Sequence, residues 1–431
     1  MKVFRHLPLV VLICIVTISC NQSKYAEDKY KDELDTVFLA TNTRALTNIK
    51  FESTPERLKR GEYLANGILA CFNCHSERDS TKAGYPPIES MKGGGSIIIE
   101  NATERLVAPN ITPDKETGAG NWTDDMFSRA IREGIGHDGR ALSEAMFWGS
   151  FSKLSDEDLA SVVVYIKSIP AVKNKLPRRK FTVEKEKELQ ESPVPLTGPV
   201  KHPNLSDTLT RGRYLVKIGD CVGCHTGWYK RNPGRFGGGN FVKVNNVTVF
   251  SPNITPDPTG IGGWTPEIFI NVIRTGKEGS LNGVMPWTSH RNMTDEDLTA
   301  ILLALQKLPP VNHRVINAQE ETYCEVCEQK HGYGKYNKIV PLKAVAVDPS
   351  SLRDYAGTYI NESGFEIKVK AINGKLLISK RGSLVELIAV EGNRFQSLDY
   401  LFPVSFKRDG AGKVNQMIRY SLEEEVCNRK E

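Results

Sequence analysis

One stretch of this chain occurs twice, and the repeat limits what the chain can fold into. Arg60-Gly61-Glu62-Tyr63-Leu64 leads into Cys71-Phe72-Asn73-Cys74-His75. Arg211-Gly212-Arg213-Tyr214-Leu215 leads into Cys221-Val222-Gly223-Cys224-His225. Pro109-Asn110-Ile111-Thr112-Pro113-Asp114 returns as Pro252-Asn253-Ile254-Thr255-Pro256-Asp257, Trp122-Thr123 as Trp264-Thr265, Met146 as Met285, and Ser155-Asp156-Glu157-Asp158-Leu159 as Thr294-Asp295-Glu296-Asp297-Leu298. The offset between the copies shortens along the repeat, so the second copy has lost loop residues. Two folded units follow, not a solenoid of many short repeats.

Each unit reads as helical. Thr54-Pro55 is a helix start ahead of the first cysteine motif. Ser155 with Asp158 has the spacing of a loose capping box, with Leu154 and Leu159 as its hydrophobic staple. Leu159, Val162, Val163 and Ile166 then share one apolar face, and Pro170 stops the helix. Thr294, Asp297, Met293, Leu298, Ile301, Leu302 and Leu305 repeat this ahead of Pro309-Pro310.

The paired C-x-x-C-H runs carry the chemistry. Two thiols a short turn apart each add to a haem vinyl group, and the histidine that follows sits under the iron. A single such run also fits a zinc knuckle or a redox dithiol. Two runs inside matching flanks favour two covalently bound c-type haems, on Cys71, Cys74 and His75 and on Cys221, Cys224 and His225. The sixth iron ligand then decides the function. A thioether closes the site and suits electron transfer, whereas an open position allows ligand binding or chemistry. Met285, in Val284-Met285-Pro286-Trp287, is the expected ligand in the second unit. Met146, in Ala145-Met146-Phe147-Trp148, takes the matching place, with Phe147 where the proline stands. His137 is the rival in the first unit, although a loop histidine there is expected to face solvent. His290 is expected at the surface. Trp122, Asn110 and Thr112, with Trp264, Asn253 and Thr255, are candidate donors to the haem propionates, or else core and turn residues.

These features resemble class I cytochrome c domains over Thr54–Val172 and Ser206–Val311, with an N-terminal helix, the haem motif, a later methionine and a C-terminal helix. The motif order is similar to the multi-haem cytochrome subunits of membrane-bound alcohol and gluconate-type dehydrogenases. The resemblance implies a di-haem electron carrier working between a dehydrogenase, a quinol-oxidising complex or an oxidase. A di-haem peroxidase and a haem-based ligand sensor are the rivals.

The remaining segments set the domain plan. Residues 1–20 read as a signal: Lys2 and Arg5 precede an apolar run, and Val16-Thr17-Ile18-Ser19-Cys20 resembles a lipobox. This implies lipidation at Cys20 and a periplasmic position on a bacterial membrane; the alternatives are plain cleavage, giving a soluble periplasmic or secreted protein, or an uncleaved anchor. Residues 21–50 form a tether, 51–175 and 206–315 the two haem units, and 176–205 a linker whose Pro177-Arg178-Arg179-Lys180 reads as a solvated strap. A net charge of +6 over 431 residues gives no case for nucleic acid. Residues 316–345 connect to the rest and hold Cys324 and Cys327, with Glu328 where a haem motif has histidine. A local disulfide is expected there. Zinc would use Cys324, Cys327 and His331, without an evident fourth ligand. Similar di-haem proteins carry a related Cys-x-x-Cys and His-Gly in this place. Residues 346–431 turn to β: Phe365-Glu366-Ile367-Lys368-Val369 alternates, and Asn373-Gly374 marks a hairpin. This end resembles the antiparallel domain appended to some penicillin-binding-type serine hydrolases. The expected fold class is therefore multidomain, with two all-α cytochrome c domains followed by a small antiparallel β domain.

Overall fold

The computed structural model describes residues 38–82, 84–228, 232–244, 247–276, 285–339, 341–380, 383–396 and 403–430. The signal, Cys20 and most of the tether lie outside them. Among the described residues no helix is long and apolar enough to cross a membrane.

In the first unit, Thr54 caps the Pro55–Asn66 helix by accepting from the Arg57 N–H. The Asp156–Ser168 helix opens on Ser155, whose hydroxyl accepts from the Asp158 N–H. The second unit repeats both helices as Thr208–Ile218 and Asp295–Leu305, capped by Asp207 and Thr294. Within each unit these two helices cross at a glycine. A Cβ on Gly61 would lie 1.9 Å from the Ser161 carbonyl oxygen, and one on Gly212 would lie 1.8 Å from that of Ala300. Only a residue without a side chain permits that approach.

The all-α expectation needs correction. Each unit also carries a two-stranded antiparallel hairpin beyond its cysteine motif, Ser96–Glu100 with Arg105–Ala108 and Phe241–Val244 with Val247–Phe250. The units also share one core. Leu64, Leu159, Val163 and Ile166 of the first belong to the same buried cluster as Leu215, Leu298, Ile301 and Leu302 of the second.

The contact between the units is reciprocal. Tyr63 of the first unit donates to Asp297 of the second at 2.5 Å, and Tyr214 of the second donates to Asp158 of the first at 2.7 Å. Each tyrosine hydroxyl also accepts the backbone N–H of the other unit's helix cap, Thr294 at 3.1 Å and Ser155 at 3.2 Å. This changes the reading of Asp158. Its carboxylate does not reach back to the Ser155 N–H as a capping box would; it takes Arg60 side-on at 2.9 Å and the hydroxyl of Tyr214. A carboxylate this buried needs such partners, and the tyrosine fills the place that the box left open.

Two segments expected to be loose are packed. The 176–205 stretch holds a helix, Val183–Gln190, and buries Phe181 and Leu189 against Ala40, Ile135 and Ala141. Arg179 is no solvated strap: it pairs with Glu186 at 2.7 Å and donates to the Ala141 carbonyl. The end of the tether docks as well. Arg44 bridges Asp125 and Glu133 at 2.7 and 2.8 Å, two carboxylates almost wholly removed from water.

The C-terminal part is a closed antiparallel barrel of eight strands, Gly357–Ile360 through Glu424–Arg429. Each strand pairs with the next in sequence, and the last pairs with the first. Closure removes the open edges that a small sheet would expose. Ile367 and Val369 point in with Leu376, Ile378, Phe406 and Met417, while Lys368 and Lys370 point out. Asn373 and Gly374 have φ of +51° and +74°, as the predicted hairpin turn requires. The barrel rests on the second unit, with Leu422 in the shared core and Glu423 paired with Lys217.

Candidate functional site

The two cysteine motifs form matching sites. Each is a single helical turn, Cys71–Cys74 and Cys221–Cys224, entered through a residue in the left-handed region, Ala70 at φ +49° and Asp220 at φ +50°. The turn ends on the histidine, whose N–H closes onto the first cysteine's carbonyl. His75 and His225 are buried. The Nδ1 atom of His75 lies 2.8 Å from the Pro109 carbonyl, and that of His225 lies 2.8 Å from the Pro252 carbonyl. A carbonyl only accepts, so Nδ1 carries the proton and Nε2 keeps its lone pair for a metal. Burial also lowers both imidazoles below their ordinary range, which keeps them neutral. Desolvation pushes the Cys71 and Cys221 thiols up to about 12. Thiols raised in this way are poor exchange catalysts, which counts against the redox-dithiol alternative.

The loop that sets each histidine is built from the repeated Pro-Asn-Ile-Thr run. Asn110 Oδ1 accepts from the Thr112 N–H and hydroxyl, while its amide donates to Val172 O at 2.7 Å and to the Thr117 hydroxyl. Asn253 does the same with Thr255, Val311 O and Thr259. Their amide donors tie the loop to the chain beyond the C-terminal helix, so in this structure these four residues hold the loop that orients the histidine. Trp122 and Trp264 pack at the rim of the shared core. Trp122 stacks on His137 with ring centroids 4.5 Å apart, and His137 is exposed.

Met146 and Met285 occupy equivalent places, each half-buried just before a one-turn helix, Trp148–Phe151 or Trp287–His290. Those helices reach the other unit's motif. Ser150 donates to Asp220 at 2.6 Å, and Ser289 donates to Asn73 at 3.0 Å. His290 is not at the surface. It is buried at the position that Phe151 fills in the first unit and bonds the backbone of Ile68 across the contact, with its imidazole lowered to about 4 by burial.

The connector departs furthest from expectation. Cys324 and Cys327 are free thiols and form no disulfide. They lie beside His331 and also beside His313, which the sequence reading passed over. The available signal was positional. His313 follows Val311 as Asn174 follows Val172, and both backbone N–H groups donate to a threonine of the repeated loop, Thr259 or Thr117. A histidine replacing the repeat's asparagine marked it out.

Residues 207–303 match the family of cytochrome c oxidase, cbb3-type, subunit III. The chain is 30% identical over 298 residues to the fructose dehydrogenase cytochrome subunit of Gluconobacter japonicus, covering 62% of this chain and 56% of that protein. It is 27% identical over 343 residues to the cytochrome c subunit of the quinone alcohol dehydrogenase of Gluconobacter oxydans, 68% of this chain and 69% of that one. A diheme c-type cytochrome of Cereibacter sphaeroides is 25% identical over 256 residues, 56% of this chain and 82% of that one. These relatives are cytochromes, most of them subunits of dehydrogenases, and they support an electron-transfer cytochrome with covalently bound haem c. The residues fit that group: paired thiols on one turn, followed by a neutral, oriented imidazole.

Proposed function

We propose that the chain is a di-haem c-type cytochrome that carries electrons outside the cytoplasm, from a dehydrogenase or a quinol-linked donor to a downstream acceptor, held to a membrane through a lipid at Cys20. One observation carries the reading: both cysteine motifs end on a buried histidine whose Nδ1 is fixed by a proline carbonyl at 2.8 Å. A single attachment site would leave the second copy of this arrangement without a task. The Cereibacter relative's description as a diheme cytochrome points the same way. A haem held at each motif would supply one-electron redox storage. The protein's part is to hold the imidazole, bury the group and offer Met146 and Met285 as thioether ligands, which raises the potential. Both motifs border one shared core, and each methionine's neighbouring helix bonds to the chain at the opposite motif, which supports the reading.

Haem counting tests this. Protein matured with the haem-attachment machinery is expected to carry two haems per chain by alkaline pyridine spectra, and one after Cys71→Ala/Cys74→Ala or Cys221→Ala/Cys224→Ala. Met146→Ala and Met285→Ala are each expected to remove half of the methionine-to-iron charge-transfer absorption of the ferric protein. One haem in the unaltered chain would refute the di-haem reading. Carbon monoxide binding or peroxide turnover by the unaltered protein would shift it toward the sensor or the peroxidase.

A further inference from the structure

His313, Cys324, Cys327 and His331 are each 1% exposed or less, and their ligand atoms all lie within 4.8 Å of one another. We propose that they bind one Zn²⁺ ion through the two imidazole Nε2 atoms and the two sulfurs, in a tetrahedral site separate from the haem motifs.

Four observations converge. The first is orientation. His313 Nδ1 lies 2.7 Å from the Gly237 carbonyl and His331 Nδ1 lies 3.1 Å from the Gly332 carbonyl, so both rings carry their proton on Nδ1 and turn the Nε2 lone pair inward. The second is an orphan. His331 Nε2 is buried without a hydrogen-bond partner, and an imidazole nitrogen left so in a dry interior is destabilising unless something binds it. The third is distance. Cys324 Sγ stands 3.7 Å from His313 Nε2. A zinc tetrahedron with bonds of about 2.3 Å to sulfur and 2.0–2.1 Å to nitrogen has edges of roughly 3.3–3.8 Å, so side-chain shifts of about 1 Å close the cage. The fourth is the hairpin itself. Cys324 and Cys327 flank a turn closed by the Glu328 N–H on the Cys324 carbonyl, with Glu328 at φ +57°, and His331 follows on the returning strand. This is knuckle geometry, and no haem motif competes for the cysteines.

The first unit supplies an internal control. Asn174 stands where His313 stands, and its amide donates to the Gly94 carbonyl as His313 donates to that of Gly237. Fastening the glycine loop therefore needs only an amide. The imidazole adds one thing the amide lacks, a second nitrogen directed at the cysteines. Two nitrogens and two sulfurs in a tetrahedron select zinc among the common divalent ions. Binding replaces the two thiol protons, which leave to solvent, and two thiolates neutralise the dication.

The ion would clamp the connector to the second haem loop. Gly237, which holds His313, adjoins Gly238, whose N–H donates to the His225 carbonyl.

Elemental analysis and zinc K-edge absorption on the full-length, haem-loaded protein test the proposal. One zinc per chain, with two sulfur and two nitrogen neighbours, is the expected result. His313→Asn copies the first unit, so it is expected to fold and keep its haem while retaining less than a tenth of the zinc after dialysis against a mild chelator. Zinc retained equally by His313→Asn and Cys324→Ser would overturn the proposal. So would another metal in the cage, or a Cys324–Cys327 disulfide found by mass spectrometry in zinc-free protein. Should the variants fail to fold, the absorption spectrum of the unaltered protein decides alone, since fewer than two sulfur neighbours overturns the site. None of these readouts depends on the number of haems.

Discussion

Placing a methyl group at Gly61 should separate the two helices that enclose the first motif. In Gly61→Ala the new Cβ would stand 1.9 Å from the Ser161 carbonyl oxygen, 2.5 Å from its carbon and 2.7 Å from the Tyr165 Cβ. A carbon and a carbonyl oxygen ordinarily come no closer than about 3.3 Å, so the helices must part by roughly 1.4 Å. The obstacle is backbone and has no rotamer to yield. Overpacking of this kind costs about 1–3 kcal/mol, and the case belongs at the upper end because Leu64, Leu159 and Val163 lose contact together. Alanine recovers about 1 kcal/mol of helix propensity over glycine. The net expectation is a loss of about 2 kcal/mol, with the same for Gly212→Ala against Ala300. Gly149→Ala is the control, since nothing lies within 4 Å of its added Cβ. Guanidinium unfolding of the haem-loaded protein, followed by far-ultraviolet circular dichroism and Soret absorbance, reads all three. A midpoint for Gly61→Ala equal to that of Gly149→Ala would refute the close-crossing argument.

The tyrosine contacts predict an alkaline weakening. Burial, and then the bond to Asp297, hold Tyr63 up to about 12, and Tyr214 is raised by burial and the charge of Asp158. A raised pKa means that the folded state holds the proton more tightly, so the stabilisation is complete below the unfolded value near 10 and is lost between pH 10 and about 12. Denaturant midpoints should fall across that window and fall less in Tyr63→Phe/Tyr214→Phe; parallel profiles would contradict this. Arg44→Ala leaves Asp125 and Glu133 buried without their cation and should cost about 3 kcal/mol in the same assay, a loss under about 1 kcal/mol counting against the ion triad.

Local signals in the sequence carried far. Thr54, Ser155 and Thr294 cap helices because a hydroxyl before an apolar periodic run meets a free N–H whatever the fold around it. Asn373-Gly374 turns because asparagine and glycine both tolerate positive φ cheaply. Partners distant in sequence left no such trace. The repeated Arg-Gly-x-Tyr-Leu was visible as a repeat, but the glycine's need is a backbone one helix away and the tyrosine's is a carboxylate in the other unit. Asp158 was read as a cap partner because its true partners, Arg60 and Tyr214, lie far along the chain. Phe181 and Leu189 were hidden among charges and prolines, where a single apolar residue gives no period. Cys324, Cys327 and His331 were recognisable as ligands by type. His313 was missed because the motif does not contain it; the helix end and the glycine loop bring it there.

The crossed tyrosine contacts have the symmetry of an isologous dimer. Each residue class meets its partner twice, once in either direction, as two identical chains would across a two-fold axis. The arrangement is what a single-site ancestral homodimer would leave after its gene was duplicated and fused. Fusion turns association into an intramolecular step at an effective concentration in the ~mM range, so the pair no longer depends on protein abundance. It also frees the halves to diverge. A homodimer must carry every substitution in both copies, but this chain keeps proline after one methionine and phenylalanine after the other, and histidine opposite one loop where asparagine serves the other. On the proposed di-haem function, sites that began identical are thereby free to take different potentials, giving direction to a wire that symmetry would have left without one.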